Sequence, residues 1–129
     1  TDGDVLGALF VSDPKYNVDM FLGIGGGPEG VLAACALDSY NCHFQGRFIF
    51  DNEKDIMEAK LMGITDLNKK YELNEIVKGD SLFCASGITS SEILKGILIE
   101  DDKFISETLV THKNSNFKEI VKNINLINE

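Results

Sequence analysis

The chain has 129 residues, 43% of them hydrophobic, with 21 acidic side chains against 12 basic ones and a formal net charge of −9. That length and apolar content can supply the core of one soluble domain but hardly of two. The acidic balance argues against nucleic acid as a partner, because such binding is dominated by Lys and Arg contacts to phosphate. No apolar run reaches about 18 residues, and neither a signal-like segment nor an internal repeat is visible, so membrane, secreted and solenoid readings lose support and the cytoplasm is the expected compartment.

In chain order, Asp4 is a good N-cap for a helix over residues 5–11, and Ser12-Asp13-Pro14 breaks it. Val18-Asp19-Met20-Phe21-Leu22 is short and apolar enough for a buried strand. After a glycine-rich turn, Pro28 suits the first turn of a helix that continues through Val31 to Leu37. Residues 43–50 have the apolar and aromatic content of a strand, interrupted by Gly46. Asp51-Asn52-Glu53 opens a short amphipathic helix carrying Ile56, Met57, Ala59, Lys60 and Leu61 and ending near Gly63. Ser81-Leu82-Phe83-Cys84-Ala85 reads as a buried strand that turns through residues 87–91 into a helix over residues 92–97. Finally, residues 104–110 and 117–124 flank Asn114-Ser115-Asn116, which can turn the chain between two strands; the second run also suits a helix. Helices alternating with strands, then a hairpin, predict an α/β fold, a layered αβα sandwich with a mixed sheet.

The chemistry concentrates in Gly23-Ile24-Gly25-Gly26-Gly27-Pro28-Glu29-Gly30. Glycines there let the chain turn sharply and let backbone N–H groups approach a ligand, while the following helix N-terminus adds partial positive charge. Glu29 is the complication, since a carboxylate beside a bound phosphate repels it unless a divalent cation takes oxygens from both. The turn therefore suggests a metal–phosphate site. A plain reading competes with it, in which the glycines make a tight turn and Glu29 is a first-turn acid favoured by the helix dipole. Two nucleotide motifs are excluded: Pro28 stands where the dinucleotide fingerprint needs Gly or Ala, and the P-loop Lys followed by Ser or Thr is absent.

Other polar residues carry less. Cys35, Cys42 and Cys84 form no C-x-x-C pair and fit a reducing compartment. Cys35 and Cys42 with His43 match no standard zinc spacing, and buried or strand-borne thiols are the favoured reading. Nothing locates a base and an orienting acid for a cysteine nucleophile beside His43 or His112. Ser86, Thr89, Ser90 and Ser91 could donate to phosphate, but a helix cap is the commoner role. Arg47 could lie near the glycine turn, but a surface or ion-paired arginine is the favoured reading, and His112 is read as a surface residue on the terminal ribbon.

Gly23-Ile24-Gly25-Gly26 with Pro28-Glu29-Gly30, then Gln45-Gly46-Arg47 and Ala85-Ser86-Gly87-Ile88-Thr89, resembles in order and spacing the class II fructose-1,6-bisphosphatases, bacterial enzymes some of which also act on sedoheptulose-1,7-bisphosphate. Asp2-Gly3-Asp4-Val5 looks like the aspartate-glycine-aspartate segment that heads the C-terminal portion of that family, so the resemblance runs essentially end to end. Gly27 stands in place of an alanine, and Ser86 in place of another small residue. The resemblance implies a layered sugar-phosphatase architecture and a role in gluconeogenesis. It also implies that Glu29 ligates a catalytic divalent metal, Mn2+ or Mg2+, that Gly26 contacts substrate through its backbone, and that Asp2, Gly3 and Asp4 border the bound sugar phosphate. Aspartates accept hydrogen bonds from sugar hydroxyls and glycine removes a side-chain clash, in keeping with those roles.

The resemblance further implies that the remaining metal ligands, the residues near the attacking water and the basic phosphate-gripping residues lie upstream of Asp2. The chain thus reads as one domain, residues 1–129, equivalent to the C-terminal half of such an enzyme. It is expected to need the N-terminal half, to be inactive or nearly so alone, and to form a homo-oligomer when complete. The rival expectation is a non-catalytic sugar-phosphate-binding or regulatory module that keeps the glycine turn and the Asp2/Asp4 pair.

Overall fold

The computed structural model describes residues 4–127, the side chain of Asp4 excepted. The first helix, α1 (Asp4–Ala8), tightens into a 3-10 turn over Leu9–Ser12, where the Ser12 hydroxyl donates to the Leu9 carbonyl at 2.7 Å. Asp13 ends it in an extended conformation and accepts from the Lys15 N–H at 3.0 Å, which caps a second 3-10 turn, Pro14–Tyr16. The breaker read from Ser12-Asp13-Pro14 thus also starts a new turn.

Residues 18–22 do not form the expected strand. None of the hydrogen bonds among the described residues involves the backbone of residues 18–25. The composition suits a strand, but a strand needs a partner edge and no described segment offers one. Phe21 instead packs back on α1, close enough that a β-carbon at Gly7 would lie 3.1 Å from its ring.

The next helix, α2 (Gly27–Ser39), matches the expectation, with Pro28 in its first turn and Gly26 as N-cap. Its Ala33, Ala36 and Leu37 are buried against Ala8 and Leu9 of the first helical segment and against Phe83 and Leu109 of the main sheet. Three alanines at this contact bring the helix backbone close to its neighbours.

The strand read over residues 43–50 shrinks to β1 (Gln45–Arg47), paired antiparallel with β2 (Lys70–Glu72). Gln45 donates across this pair to Glu72 Oε1 at 2.6 Å, and Phe48 stands edge-on to Tyr71 with ring centroids 5.7 Å apart. Between them, α3 (Glu53–Leu61) starts where Asn52 accepts from the Asp55 N–H at 3.0 Å. It ends at Gly63, whose φ of +88° lets the Gly63 and Ile64 N–H groups reach the Lys60 and Ala59 carbonyls. A one-turn helix, α4 (Leu73–Ile76), follows β2, with the Leu73 N–H donating to the Phe44 carbonyl.

The main sheet is built on β5 (Lys103–His112), which pairs along its whole length with β6 (Phe117–Leu126) through the Asn114-Ser115-Asn116 turn. The opposite edge of β5 takes β3 (Leu82–Ser86) against residues 108–112 and β4 (Leu98–Glu100) against residues 103–105. The α/β class is borne out; every pairing among the described residues is antiparallel, because the chain returns by hairpins and connecting loops. Leu109, Thr111 and Phe83 face the helices, whereas Leu82, Cys84 and Ile99 on the other face are exposed.

The helix expected over residues 92–97 is a looped segment instead. Ser91 Oγ accepts from the Ile93 and Leu94 N–H groups, Ser90 Oγ from the Gly96 N–H, and the Glu107 carboxylate from the Lys95 N–H at 2.9 Å. These bonds satisfy the donors that a helix would have used, and they deliver Leu94 into the core at 2% exposure. The serine hydroxyls therefore lock a turn rather than cap a helix.

Two contacts tie the β5–β6 turn to the rest of the chain. Lys113 pairs with the buried carboxylate of Asp38 near the end of α2. Lys113→Met strands that carboxylate without a cation and is expected to cost about 3 kcal/mol in urea denaturation; a loss below about 0.5 kcal/mol would make the pair incidental. His112, read from sequence as a surface residue, is half-buried, with Nε2 2.7 Å from Asp80 Oδ2 and Nδ1 2.7 Å from Ser115 Oγ.

The His112 hydrogen bond is the main cause holding the Asp80 carboxyl below the usual carboxylate range. The Lys15 N–H does the same for Asp13, and the Lys69 ammonium for Glu75. Each group binds its proton less readily when folded than when unfolded. Its contribution is present above the unfolded pKa and is lost as pH falls through the lower folded value. Stability is therefore expected to decline as pH drops below about 4, and Asp80→Asn to reduce that slope in acid-titrated urea melts.

Candidate functional site

The glycine turn leads from the unpaired segment 18–25 into α2, and Gly26 holds an extended conformation (φ −67°, ψ 155°) before the helix begins. No side chain among the described residues caps this end, and the Gly27 and Glu29 N–H groups lack the intrahelical partners that later residues have. The first paired donor is Gly30, which bonds the Gly26 carbonyl at 3.1 Å. The N-terminus of α2 therefore presents backbone donors and the positive end of the helix dipole to solvent.

Glu29 folds back across this end. A β-carbon at Gly26 would collide with Glu29 Oε2 and lie 3.2 Å from its Cδ, so the carboxylate occupies the space that glycine leaves open. Two of the residues picked out from the sequence thus meet, and the meeting depends on the absence of a side chain at Gly26. Around Gly27 and Gly30 no described residue lies within 4 Å of the corresponding position, which leaves the approach to the helix end clear of them.

Asp2 and Gly3 lie outside the described residues. Asp4 opens α1 rather than preceding it, and its side chain is not described. Arg47 is exposed in β1 opposite Lys70 and forms no ion pair among the described residues.

A hard divalent cation suits a carboxylate donor such as Glu29. Among the described residues, however, no group of three or more His, Cys, Asp or Glu side chains could hold a metal ion. Glu29 fits such an ion as one ligand of a set whose other members must come from elsewhere. Cys35 and Cys42 are free thiols, and burial pushes both above their ordinary pKa, which makes them less reactive than thiolates.

A cleft of about 330 Å³ lies at the other end of α2, lined among others by Asp13, Lys15, Tyr16, Tyr40, Lys118 and Glu119. Lys15 sits over the Tyr16 ring and Lys118 over the Tyr40 ring, at 4.6 and 5.4 Å. Its two cations are balanced by two carboxylates, and none of the candidate binding or metal-ligating residues read from the sequence lines it. Sequence reading missed this cleft and the Asp80–His112–Ser115 cluster, because both join residues far apart in the chain with no shared local pattern. No helix among the described residues is long and apolar enough to cross a membrane.

Comparison with known proteins places the glycine turn in a family context. A family model described as bacterial fructose-1,6-bisphosphatase, glpX-encoded, matches residues 1–125. A protein of Thermosynechococcus vestitus named D-fructose 1,6-bisphosphatase class 2/sedoheptulose 1,7-bisphosphatase is 32% identical over 143 aligned residues, covering 100% of this chain and 41% of the relative. Proteins of the same name from Prochlorococcus marinus and Acaryochloris marina are 34% and 37% identical, over 85% and 75% of this chain and 37% and 32% of their own lengths. The chain thus spans about two-fifths or less of the length of these relatives. With a helix-end turn joining Gly26 to Glu29, and a family match over nearly every residue, the chain belongs to the bacterial class II fructose-1,6-bisphosphatase family.

Proposed function

We propose that this chain is the C-terminal part of a metal-dependent sugar-bisphosphate phosphatase that hydrolyses the 1-phosphate of fructose-1,6-bisphosphate. In the reaction, water attacks phosphorus, the bond from phosphorus to the oxygen on C1 breaks, and fructose 6-phosphate and inorganic phosphate leave. A bound Mn2+ or Mg2+ would neutralise charge on the phosphoryl oxygens and lower the pKa of the attacking water. The observation that carries this reading is the contact of Glu29 with the space above Gly26, which puts a hard anionic donor beside free backbone donors at one helix end.

Each residue has a separate task. Glu29 supplies one oxygen ligand and cancels part of the cation's charge. Gly26 and the first N–H groups of α2 hold a phosphate oxygen, in a place where a side chain would push the carboxylate away. Asp2, Gly3 and Asp4 border the sugar, the aspartates accepting from its hydroxyls. The remaining metal ligands, and the cations that offset the charge of −9 when an anionic substrate approaches, belong to the polypeptide upstream in longer family members. On this view the complete enzyme works in the cytoplasm, within gluconeogenesis, and as a homo-oligomer.

The test is manganese-dependent phosphate release from fructose-1,6-bisphosphate, by the purified chain alone and by the chain fused behind the upstream part of the Thermosynechococcus vestitus relative. Release by the fusion only is the expected result. Release by the chain alone would overturn the division of ligands, and a folded fusion that binds sugar phosphate without release would favour the regulatory module. The relative's own ratio of fructose to sedoheptulose bisphosphate turnover provides the scale for substrate preference.

A further inference from the structure

Residues 18–24 have strand composition and strand periodicity but no strand partner among the described residues. Met20, Leu22 and Ile24 are 70%, 81% and 82% exposed, and period-two spacing puts all three on one side of an extended segment. Phe21, on the alternate side, is the residue that packs on Gly7 of α1. One side is therefore anchored, the other is an apolar stripe facing water, and the backbone groups between are unpaired among the described residues. An exposed apolar edge of this kind is what another strand adds to.

The amount of open surface points the same way. A compact protein of 14.2 kDa is expected to expose about 6,800 Å², whereas this chain exposes 9369 Å². The excess of roughly 2,600 Å² is about three times what one partner buries in a standard protein–protein interface. More than half of the relative from Thermosynechococcus vestitus lies outside the region this chain matches, which is enough polypeptide to cover it.

We propose that residues 18–24 form a β-strand whose pairing partner comes from the polypeptide that precedes this region in the longer family members, and that this pairing fixes the Gly26–Glu29 turn. The proposal rests on reading the chain as the C-terminal part of the enzyme. It extends that reading to a surface, because the segment runs directly into Gly25 and Gly26. The polypeptide that supplies the missing ligands must reach this end of α2, and the unpaired edge is where it can be held in register with Glu29. Pairing would satisfy the backbone groups and cover Met20, Leu22 and Ile24 together.

Hydrogen–deuterium exchange on the chain and on the fusion described above tests it. In the chain alone, the amides of residues 19–24 should exchange at close to unstructured rates while those of β5 and β6 are protected. In the fusion, residues 19–24 should slow by at least ~100-fold, and Met20→Pro, which removes one donor, should reverse that slowing. Unprotected residues 19–24 in a fusion whose β5 and β6 are protected would overturn the proposal. So would protection in the chain alone accompanied by a dimeric mass, which would make a second copy the partner. If the fusion fails to fold, the same exchange is read on the Thermosynechococcus vestitus relative carrying residues 17–30 of this chain, with the same outcomes. Phosphate release is measured separately: a fusion that hydrolyses substrate with this segment unprotected defeats the strand proposal alone, and protection without hydrolysis defeats the phosphatase reading alone.

Discussion

Glu29→Gln in the chain fused to the upstream part of a relative is expected to lower manganese-dependent phosphate release at least ~1000-fold while leaving the fold unchanged. Glutamine keeps the size and the hydrogen-bonding oxygen but removes the charge, so what is lost is the proposed metal ligand and not packing. Glu29 is exposed and lacks an ion-pair partner among the described residues, so its neutralisation breaks no structural contact. Gly26→Ala should act through the same carboxylate. Its β-carbon collides with Glu29 Oε2, and displacing a ligand by about 1 Å costs on the order of 100-fold in rate. Gly27→Ala is the control: no described residue lies within 4 Å of the added carbon, the position is helical, and a gain of about 0.5–1 kcal/mol is expected. The assay is phosphate release beside circular dichroism of each variant. Full activity in Glu29→Gln would remove the proposed ligand role.

Gly87→Ala is expected to be the most damaging small substitution for stability, at about 3 kcal/mol or more. The β-carbon would run into the Lys95 carbonyl oxygen and come within 3.1 Å of Leu94 Cβ. Neither neighbour can retreat easily. Leu94 is 2% exposed in the core, and the Lys95 N–H is held by the Glu107 carboxylate, while the Gly87 N–H itself bonds the Glu107 carbonyl at 2.9 Å. The loop that replaces the expected helix is thus pinned at both ends to β5. For a domain of this size the loss corresponds to a fall in Tm of roughly 10 °C. A fall under about 2 °C would mean that the loop relaxes without cost.

Where structure depends on neighbours in sequence, the residues announce it. Pro28 after glycines starts α2, Asn52 and Gly63 bound α3, and Asn114-Ser115-Asn116 joins β5 to β6, each through a capping or turn preference that acts over a few residues. Where structure depends on distant partners, the same residues mislead. Residues 18–22 have the composition of a buried strand and find no edge to pair with among the described residues; residues 92–97 have helical composition, yet the Glu107 carboxylate claims the Lys95 N–H. The three-residue strands β2 and β4 exist because β1 and β5 lie beside them, and their own sequences carry too short a pattern to register. The site divides in the same way. The turn with Gly26 and Glu29 is contiguous and readable, whereas no described residues complete a group of three metal-ligating side chains around it, and Asp80 meets His112 only across 32 residues of chain.

Manganese binding, followed by the electron paramagnetic resonance signal of the free ion, addresses the shared site most directly. The chain alone should leave nearly all of the ion free at micromolar concentrations, because one carboxylate is a weak site. The fusion should take it up, and Glu29→Gln in the fusion should weaken uptake by more than the roughly 10- to 100-fold that loss of an outer-shell partner costs. Tight binding by the chain alone, or uptake by the fusion unchanged in Glu29→Gln, would contradict a metal centre completed from outside this chain with Glu29 as one of its ligands.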